Sequence, residues 1–347
     1  QRWGKSNQGW EFLANLAFGV TTLHNPSAEF WSVWADAELI KSGKKIGPRI
    51  LSTATPMFGG GGPDHCEVAT VGEAEEALAR RAAFGGFSAK SYMIQCRAGR
   101  QKVLQAARNM NFLVVPEGGM HYAWDQSFII DGHTTVEHSL PMAPFYDDVL
   151  SLFAAGETAW TPTLVVSFGG LFGDHYALQE NNVFEDPTVM KWIPNDEIRP
   201  TGMRRQEADV RDYHVFTISG AAANVSSRGQ MVNIGAHGQM QGIGYLWELR
   251  LMAAGGMSNY DVLKTATINP AKTLGLDDQI GSLFPGKLAD LIILNPTAAN
   301  PLADINAVRD IQYVMLDGKL YNAGDFSQVL PTPKPAPTLT VINTPTL

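Results

Sequence analysis

Cysteine, charge and long apolar runs are all scarce in this chain of 347 residues. Two cysteines, Cys66 and Cys96, make no disulfide framework, and their spacing fits no zinc motif. Both are expected as buried or semi-buried thiols. Charged residues are 17% of the total, 26 basic against 34 acidic, for a net charge of −8. No basic run stands out, so nucleic acid is not an expected partner. No stretch approaches the roughly 20 apolar residues of a membrane helix, so no membrane span is expected. No G-x-G-x-x-G follows the first strand, which weighs against a dinucleotide fold. The sequence opens on Gln1 rather than Met and shows no charged-then-apolar leader. That leaves open a segment processed off or left out upstream.

What is present describes a globular chain. Hydrophobic residues are 45%, and a chain of this length makes one large domain or two small ones, burying roughly three quarters of its unfolded surface. Helical spacing predicts helices over 10–18, 31–42, 71–84, 99–109, 123–130, 145–155, about 203–224, 244–254 and 259–267. Short β-branched runs predict strands over 20–23, 48–53, 87–92, 111–115, 134–138, 158–166 and 230–236. Gly59-Gly60-Gly61-Gly62 reads as a loop, and 167–200 as a long polar insertion whose Phe168, Phe172, Tyr176 and Trp192 line a pocket or pack locally. The alternation means βα units and a parallel sheet, and its many repeats favour an α/β fold of the (β/α)8 TIM-barrel type. Residues 1–280 would form the barrel and 281–327 a small accessory β-sandwich layer. Asp317-Gly318 there is a hairpin signal. The Pro/Thr-rich end, 328–347, would be extended or disordered.

Catalytic groups of a parallel barrel sit at the C-terminal ends of its strands. His24, Lys90, Glu117, His138 and His237 fall at such places. Imidazole and carboxylate donors converging on one rim suit a divalent ion such as Zn²⁺. Lys90 is the exception, because an ammonium is no metal ligand. A buried lysine must lose its charge or find a partner. Carbamylation by CO₂ would turn it into a carboxylate-like ligand, whereas a snorkelling head group would leave it structural.

The stretch 242–294 resembles the C-terminal third of the amidohydrolase superfamily. The carrying residues are Trp247-Glu248-Leu249, Ala266-Thr267-Ile268-Asn269-Pro270-Ala271, Leu274-Gly275-Leu276, and the run from Gly281-Ser282-Leu283 through Pro285-Gly286-Lys287 to Leu288-Ala289-Asp290-Leu291. Gly19-Val20-Thr21-Thr22 is similar to the family's second strand, and Val136-Glu137-His138 to its sixth-strand motif. Ser88-Ala89-Lys90-Ser91-Tyr92, Pro116-Glu117-Gly118-Gly119 and Gly235-Ala236-His237-Gly238-Gln239 look most like the branch often fused to Tol-B-type propellers, with imidazolonepropionase- and prolidase-like hydrolases. The resemblance spans about 10–325.

It implies one or two divalent ions, Zn foremost, held by Lys90 as a carbamate and by His138. Glu117 stands where the family has a fifth-strand histidine, with His121 close behind as a further candidate. His237 stands where the family has its proton-shuttling aspartate, and an imidazole can serve as that base. His24, Tyr92 and His133 would touch substrate or support the ligands, although His133 precedes its strand and also reads as structural. The family's first-strand His-x-His occurs nowhere in this sequence. An incomplete record, a mononuclear site and lost catalysis each account for that. A seven-stranded barrel would expose an edge for a partner copy or a preceding segment to cover. The expected function is hydrolysis of an amide, peptide-like or ester bond in a small-molecule substrate, with the alternative of a degenerate barrel that binds a small ligand or partner chain. The resemblance favours a periplasmic or secreted location without excluding the cytoplasm. A glycosidase built on Glu117 lacks a second acid at a strand end.

Overall fold

The computed structural model describes residues 9–28, 30–58, 68–94, 96–117, 121–167 and 169–339. The glycine loop at 59–62, Cys66, Gly118, Gly119, Phe168 and the last eight residues of the tail lie outside the described residues.

Helix α1 (Trp10–Ala17) forms because Leu13, Leu16 and Ala17 recur on one buried face. It stops at Gly19, whose φ of +88° L-residues avoid. A Cβ there would also come within 3.0 Å of the Ile311 side chain, so the glycine lets the C-terminal sheet approach. Strand β1 (Thr22–Asn25), helix α2 (Phe30–Lys41) and strand β2 (Arg49–Ser52) follow, with β1 and β2 parallel and Thr22 opposite Arg49. A short β3 (Met57–Phe58) precedes α3 (Val71–Ala83). The start of α3 is a capping box: Thr70 Oγ1 accepts the Glu73 amide at 3.1 Å, and Glu73 accepts the Thr70 amide at 3.2 Å. Strand β4 (Ser88–Tyr92), α4 (Arg97–Met110), β5 (Leu113–Pro116), α5 (Tyr122–Asp131), β6 (Thr135–Glu137), α6 (Asp147–Gly156) and β7 (Ala159–Thr161) complete the alternation.

Every pairing in this half is parallel. β4 lies between β3 and β5, with Lys90 opposite Val115. The Phe87 amide donates to Ser52 O at 3.1 Å and links β2 to β4. A Glu117–Glu137 bridge carries the order from β5 to β6, β6 pairs with β7, and a Trp160–Val232 bridge carries it one position further. Among the described residues β1 pairs with β2 alone.

Several expectations shift. The strand expected at 158–166 ends at Thr161, because Thr163 takes φ +52° and turns the chain into a 3-10 segment, Leu164–Val166. The strand expected at 230–236 shrinks to the bridge at Val232. The Ile234 amide donates to Thr265 O at 3.0 Å instead of to a neighbouring strand. The insertion holds three helices, α7 (Gly173–Glu180), α8 (Pro187–Trp192) and α9 (Asn195–Met203). The helix expected from 203 starts only at Val215, as α10 (Val215–Ser227). Then come α11 (Ile243–Ala254), α12 (Asn259–Thr265) and α13 (Ile268–Thr273). Cys96 is exposed, not buried: it caps α4 at the surface, where its sulfur accepts the Gly99 amide. No described helix is long and apolar enough to cross a membrane.

The C-terminal part is antiparallel. Strands β8 (Leu291–Leu294), β9 (Ile311–Leu316), β10 (Lys319–Asn322) and β11 (Gln328–Leu330) lie in the order β11-β10-β9-β8. The β9–β10 turn has Asp317 and Gly318 at φ +49° and +72°, matching the hairpin signal. Asp290 ties this sheet to the parallel one. It accepts Arg49 Nη1 from β2 at 2.6 Å and the Asp317 amide at 2.8 Å. The larger core centres on Trp160, fully buried, whose ring lies 5.0 Å from Phe145 and 5.7 Å from Phe153.

His133 belongs to this core. It is 2% exposed, donates from Nδ1 to Phe128 O at 3.1 Å and packs edge-on against the Phe128 ring. Burial pushes its pKa down to about 4. The unfolded chain, with its histidine near 6.5, therefore binds the proton more readily, and stability falls as pH drops from about 6.5 towards 4. That shift corresponds to about 3 kcal/mol. His133→Gln is expected to flatten this limb of the stability curve, measured by urea melts between pH 4 and 7. An unchanged slope would remove His133 as its cause.

Candidate active site

The strand ends open on one cleft of about 2630 Å³, well above the ordinary size of a small-ligand pocket. Lys90, Tyr92, Glu117, Glu137, His138 and His237 all line it, with His24 further along. Lys90 comes from β4, Glu117 from the residue after β5, and Glu137 and His138 from the end of β6. His237 follows the Val232 bridge, so three neighbouring positions of a parallel sheet, β4 to β6, and a fourth beyond β7 deliver the cluster.

At its centre Lys90 Nζ and Glu117 Oε2 form an ion pair, with both side chains largely buried. Lys90 also lies 4.8 Å from the Tyr92 ring centre, a cation–π contact. Burial and the Glu117 charge push the Tyr92 hydroxyl up. His138 Nε2 stands 3.8 Å from Glu117 Oε1, and its ring meets that of His237 edge to face at 5.0 Å. Burial, with His237 and Lys90 adding to it, pushes the His138 pKa down to about 3. Its imidazole is therefore neutral and keeps a lone pair to donate.

His138 owes its position to an unusual backbone. Its φ is +70°, its amide donates to Thr161 O at 2.8 Å, and Trp160 Nε1 donates to its carbonyl at 2.8 Å. A regular strand would send Glu137 and His138 to opposite faces. The left-handed turn breaks the alternation, and both line the cleft. Glu137 is held by Thr135 Oγ1 at 2.6 Å. Burial raises its pKa, against the hydrogen bonds from Thr135 and Thr161.

His237 is exposed, with φ +54°, and Nδ1 meets Gln239 Oε1 at 2.7 Å. In the neutral tautomer that pairs with this amide oxygen, Nδ1 carries the proton and Nε2 is the acceptor. His24 lies inside β1 rather than in the turn expected after its strand. Its Nε2 contacts Ser88 Oγ at 2.8 Å, and burial pushes its pKa down to about 4. Two candidates are not brought to the cleft: His121 is exposed at the start of α5 beside Trp124, and His133 is in the core. The described aromatics of the insertion join the large core rather than line the cleft: Trp192 lies on Phe326 of the C-terminal part and Tyr176 on Tyr213 and Phe216, while Phe172 is exposed.

Sequence reasoning missed Glu137 as a site residue. Its signal was its place directly before His138 in the Val136-Glu137-His138 motif. It also corrects the glycosidase argument, since a second acid does stand beside Glu117. Gln239 was likewise missed, and its only signal was its spacing from His237.

The donor types suit a divalent ion: imidazoles from His138 and His237, carboxylates from Glu117 and Glu137. Their spacing does not complete a site. Among the described residues no group of three or more His, Cys, Asp or Glu is placed to hold a metal ion, and the Lys90 ammonium sits on Glu117.

Residues 207–321 match the amidohydrolase family. Adenine deaminase 2 of Jannaschia sp. is 25% identical over 346 residues, covering 94% of this chain and 45% of that protein. Guanine deaminase of Escherichia coli is 41% identical over 58 residues, 17% of this chain and 13% of that protein. The chain spans less than half the length of the curated relatives it matches. Among solved structures, a prolidase-like protein of Bifidobacterium longum superposes with a TM-score of 0.65 at 22% identity, over 95% of this chain and 77% of that one. That likeness carries the TIM-type α/β fold.

Breaking the central pair leaves a buried charge. Lys90→Met alone and Glu117→Leu alone are each expected to cost about 2–4 kcal/mol at pH 7, whereas the two together return to within about 1 kcal/mol of the parent. Urea melts of the two single variants and the double measure this. A coupling energy near zero would show that the ion pair contributes nothing.

Proposed function

We propose, on the premise that the chain belongs to the amidohydrolase superfamily through residues 207–321 and its fold, that it is a metal-dependent hydrolase of C–N bonds. Amide or peptide-like substrates come first, ester substrates next. The observation that carries the reading is the convergence of Lys90, Glu117, His138 and His237 from neighbouring parallel strand ends on one cleft. On this reading residues 1–280 belong to a barrel of the (β/α)8 type, with β1 at the edge of the described strands. Residues 281–327 are part of an accessory β-sandwich, which β11 extends into the segment expected as an extended or disordered tail, 328–347.

Lys90 has to change before a metal can bind. Its free amine attacks CO₂, a C–N bond forms, one proton leaves, and a carbamate replaces the ammonium. That releases Glu117 from its ion pair and adds one anionic oxygen donor where the set is one short. Lys90 as carbamate, Glu117 and His138 would then hold the ion, Zn²⁺ by donor type. When bound, the ion supplies a polarised carbonyl and a water of lowered pKa. His237 does the proton work: Nε2 accepts the water's proton and returns it to the leaving nitrogen, while Gln239 holds Nδ1–H. Tyr92 and Glu137 flank the same space. Adenine and guanine deaminases and an Xaa-Pro dipeptidase are among the similar proteins, which makes amino-heterocycles and Xaa-Pro dipeptides the first substrates to test.

The Lys90–Glu117 pair also favours a second reading, a barrel that binds a small ligand or another chain without catalysis. One assay separates them. Protein loaded with Zn²⁺ and bicarbonate is given Xaa-Pro dipeptides, aryl esters, adenine and guanine, with and without chelator. Hydrolysis of one class, lost with chelator and lowered about 10²–10⁴-fold in kcat by His237→Ala, supports the enzyme. Absence of stoichiometric metal, or activity indifferent to His237→Ala and Lys90→Ala, overturns it.

A further inference from the structure

Glu248 is a buried acid that the proposed chemistry does not use. It lies on α11 within Trp247-Glu248-Leu249, is fully buried, and accepts the Val165 amide on Oε1 at 2.6 Å. The amides of Leu164 and Gly235 face the same carboxyl group. Oε2 makes no hydrogen bond to the described residues.

These amides belong to two separate segments, and both end in the cleft. Leu164 and Val165 follow Thr163, the left-handed residue that terminates β7. Gly235 stands two residues before His237, the left-handed residue that carries the candidate base. The segments touch: a Cβ on Gly235 would meet Thr161 Cγ2 at 2.7 Å and Thr163 Oγ1 at 2.9 Å. Sheet hydrogen bonding does not hold them at this point. The pairing of β7 with the Val232 segment stops at Asn233, and the Ile234 amide turns away to Thr265. Two positive-φ residues in adjacent, unladdered segments need an external restraint to keep one geometry.

We propose that Glu248 is a positioning residue, a clamp on the back of the cleft that pins the Thr163 turn and the Gly235 segment together and so aims His237. The clamp deepens the proposed function, on which the role of His237 rests, but its own geometry does not depend on that role. Burial pushes the Glu248 pKa up to about 8, so near neutral pH the group is mostly an uncharged acid. An uncharged acid accepts through one carbonyl-type oxygen, and a glutamine side chain offers the same acceptor.

Backbone hydrogen exchange of the full chain tests the clamp. Glu248→Ala is expected to speed exchange at Leu164, Val165 and Gly235 by about tenfold or more. Amides in the middle of α10 and of α1 keep their rates. Glu248→Gln is expected to restore the three amides to near the parent rates. The His237 imidazole resonances should move in the alanine variant and return in the glutamine one. Unchanged exchange in Glu248→Ala overturns the clamp. So do uniform acceleration through the chain and equal loss in both variants. Parent protein that hydrolyses nothing while showing this exchange pattern would count against the proposed function alone.

Discussion

Parallel pairing is the constraint on which the site depends. Because strands from β1 to β7 all run one way, their C-terminal ends reach a single rim, and side chains far apart in sequence meet there. The Glu117–Glu137 bridge is where this matters most. It joins β5 to β6 at their last residues and sets two acids, a histidine and the lysine of β4 around one space. The bridge also makes that space expensive. Acid beside acid, in partial burial, demands a cation or a proton, and Lys90 supplies the cation to Glu117 while Glu137 turns to two threonine hydroxyls.

Three buried titratable groups elsewhere take neutral partners. His24 meets the Ser88 hydroxyl, His133 the Phe128 carbonyl, Glu248 the Val165 amide. In each, burial shifts the pKa towards the uncharged form, so the desolvation cost falls on a dipole rather than a full charge. At the cleft, by contrast, an ion pair persists. Buried carboxylates also pair with arginines at Asp290, Asp131 and Asp186, but both partners of the lysine–glutamate pair line the cleft, where a ligand can compete for them.

Backbone strain is similarly localised. His138, Thr163 and His237 all take positive φ, and all stand at the ends of adjacent strand positions. Each turn redirects a side chain that a straight strand would send elsewhere. Each also has a restraint in the core behind it: the Trp160 indole on the His138 carbonyl, and the Glu248 carboxyl behind the other two segments. The aromatic cluster around Trp160 thus fills the core and also holds the shape of the rim.

The sequence by itself determined most elements of this protein, because their signals are local. Apolar spacing marked α1, α3 and α4, and Asp317-Gly318 marked a hairpin. The alternation of strands and helices also made Lys90, Glu117, His138 and His237 legible as strand-end residues. The ends of β7 and of the Val232 segment were not legible, since a donor that turns to another helix leaves no trace in residue type. Nor was the exposure of Cys96 and His121, since each stands at the residue before a helix, where no burial pattern applies; His133, by contrast, already read as structural from its place before the strand. Only the tertiary structure decided that Glu137 joins His138 in the cleft and that Glu248 reaches two segments at once. Both depend on left-handed turns held from behind, and a φ imposed by distant packing is not written in the residue that adopts it.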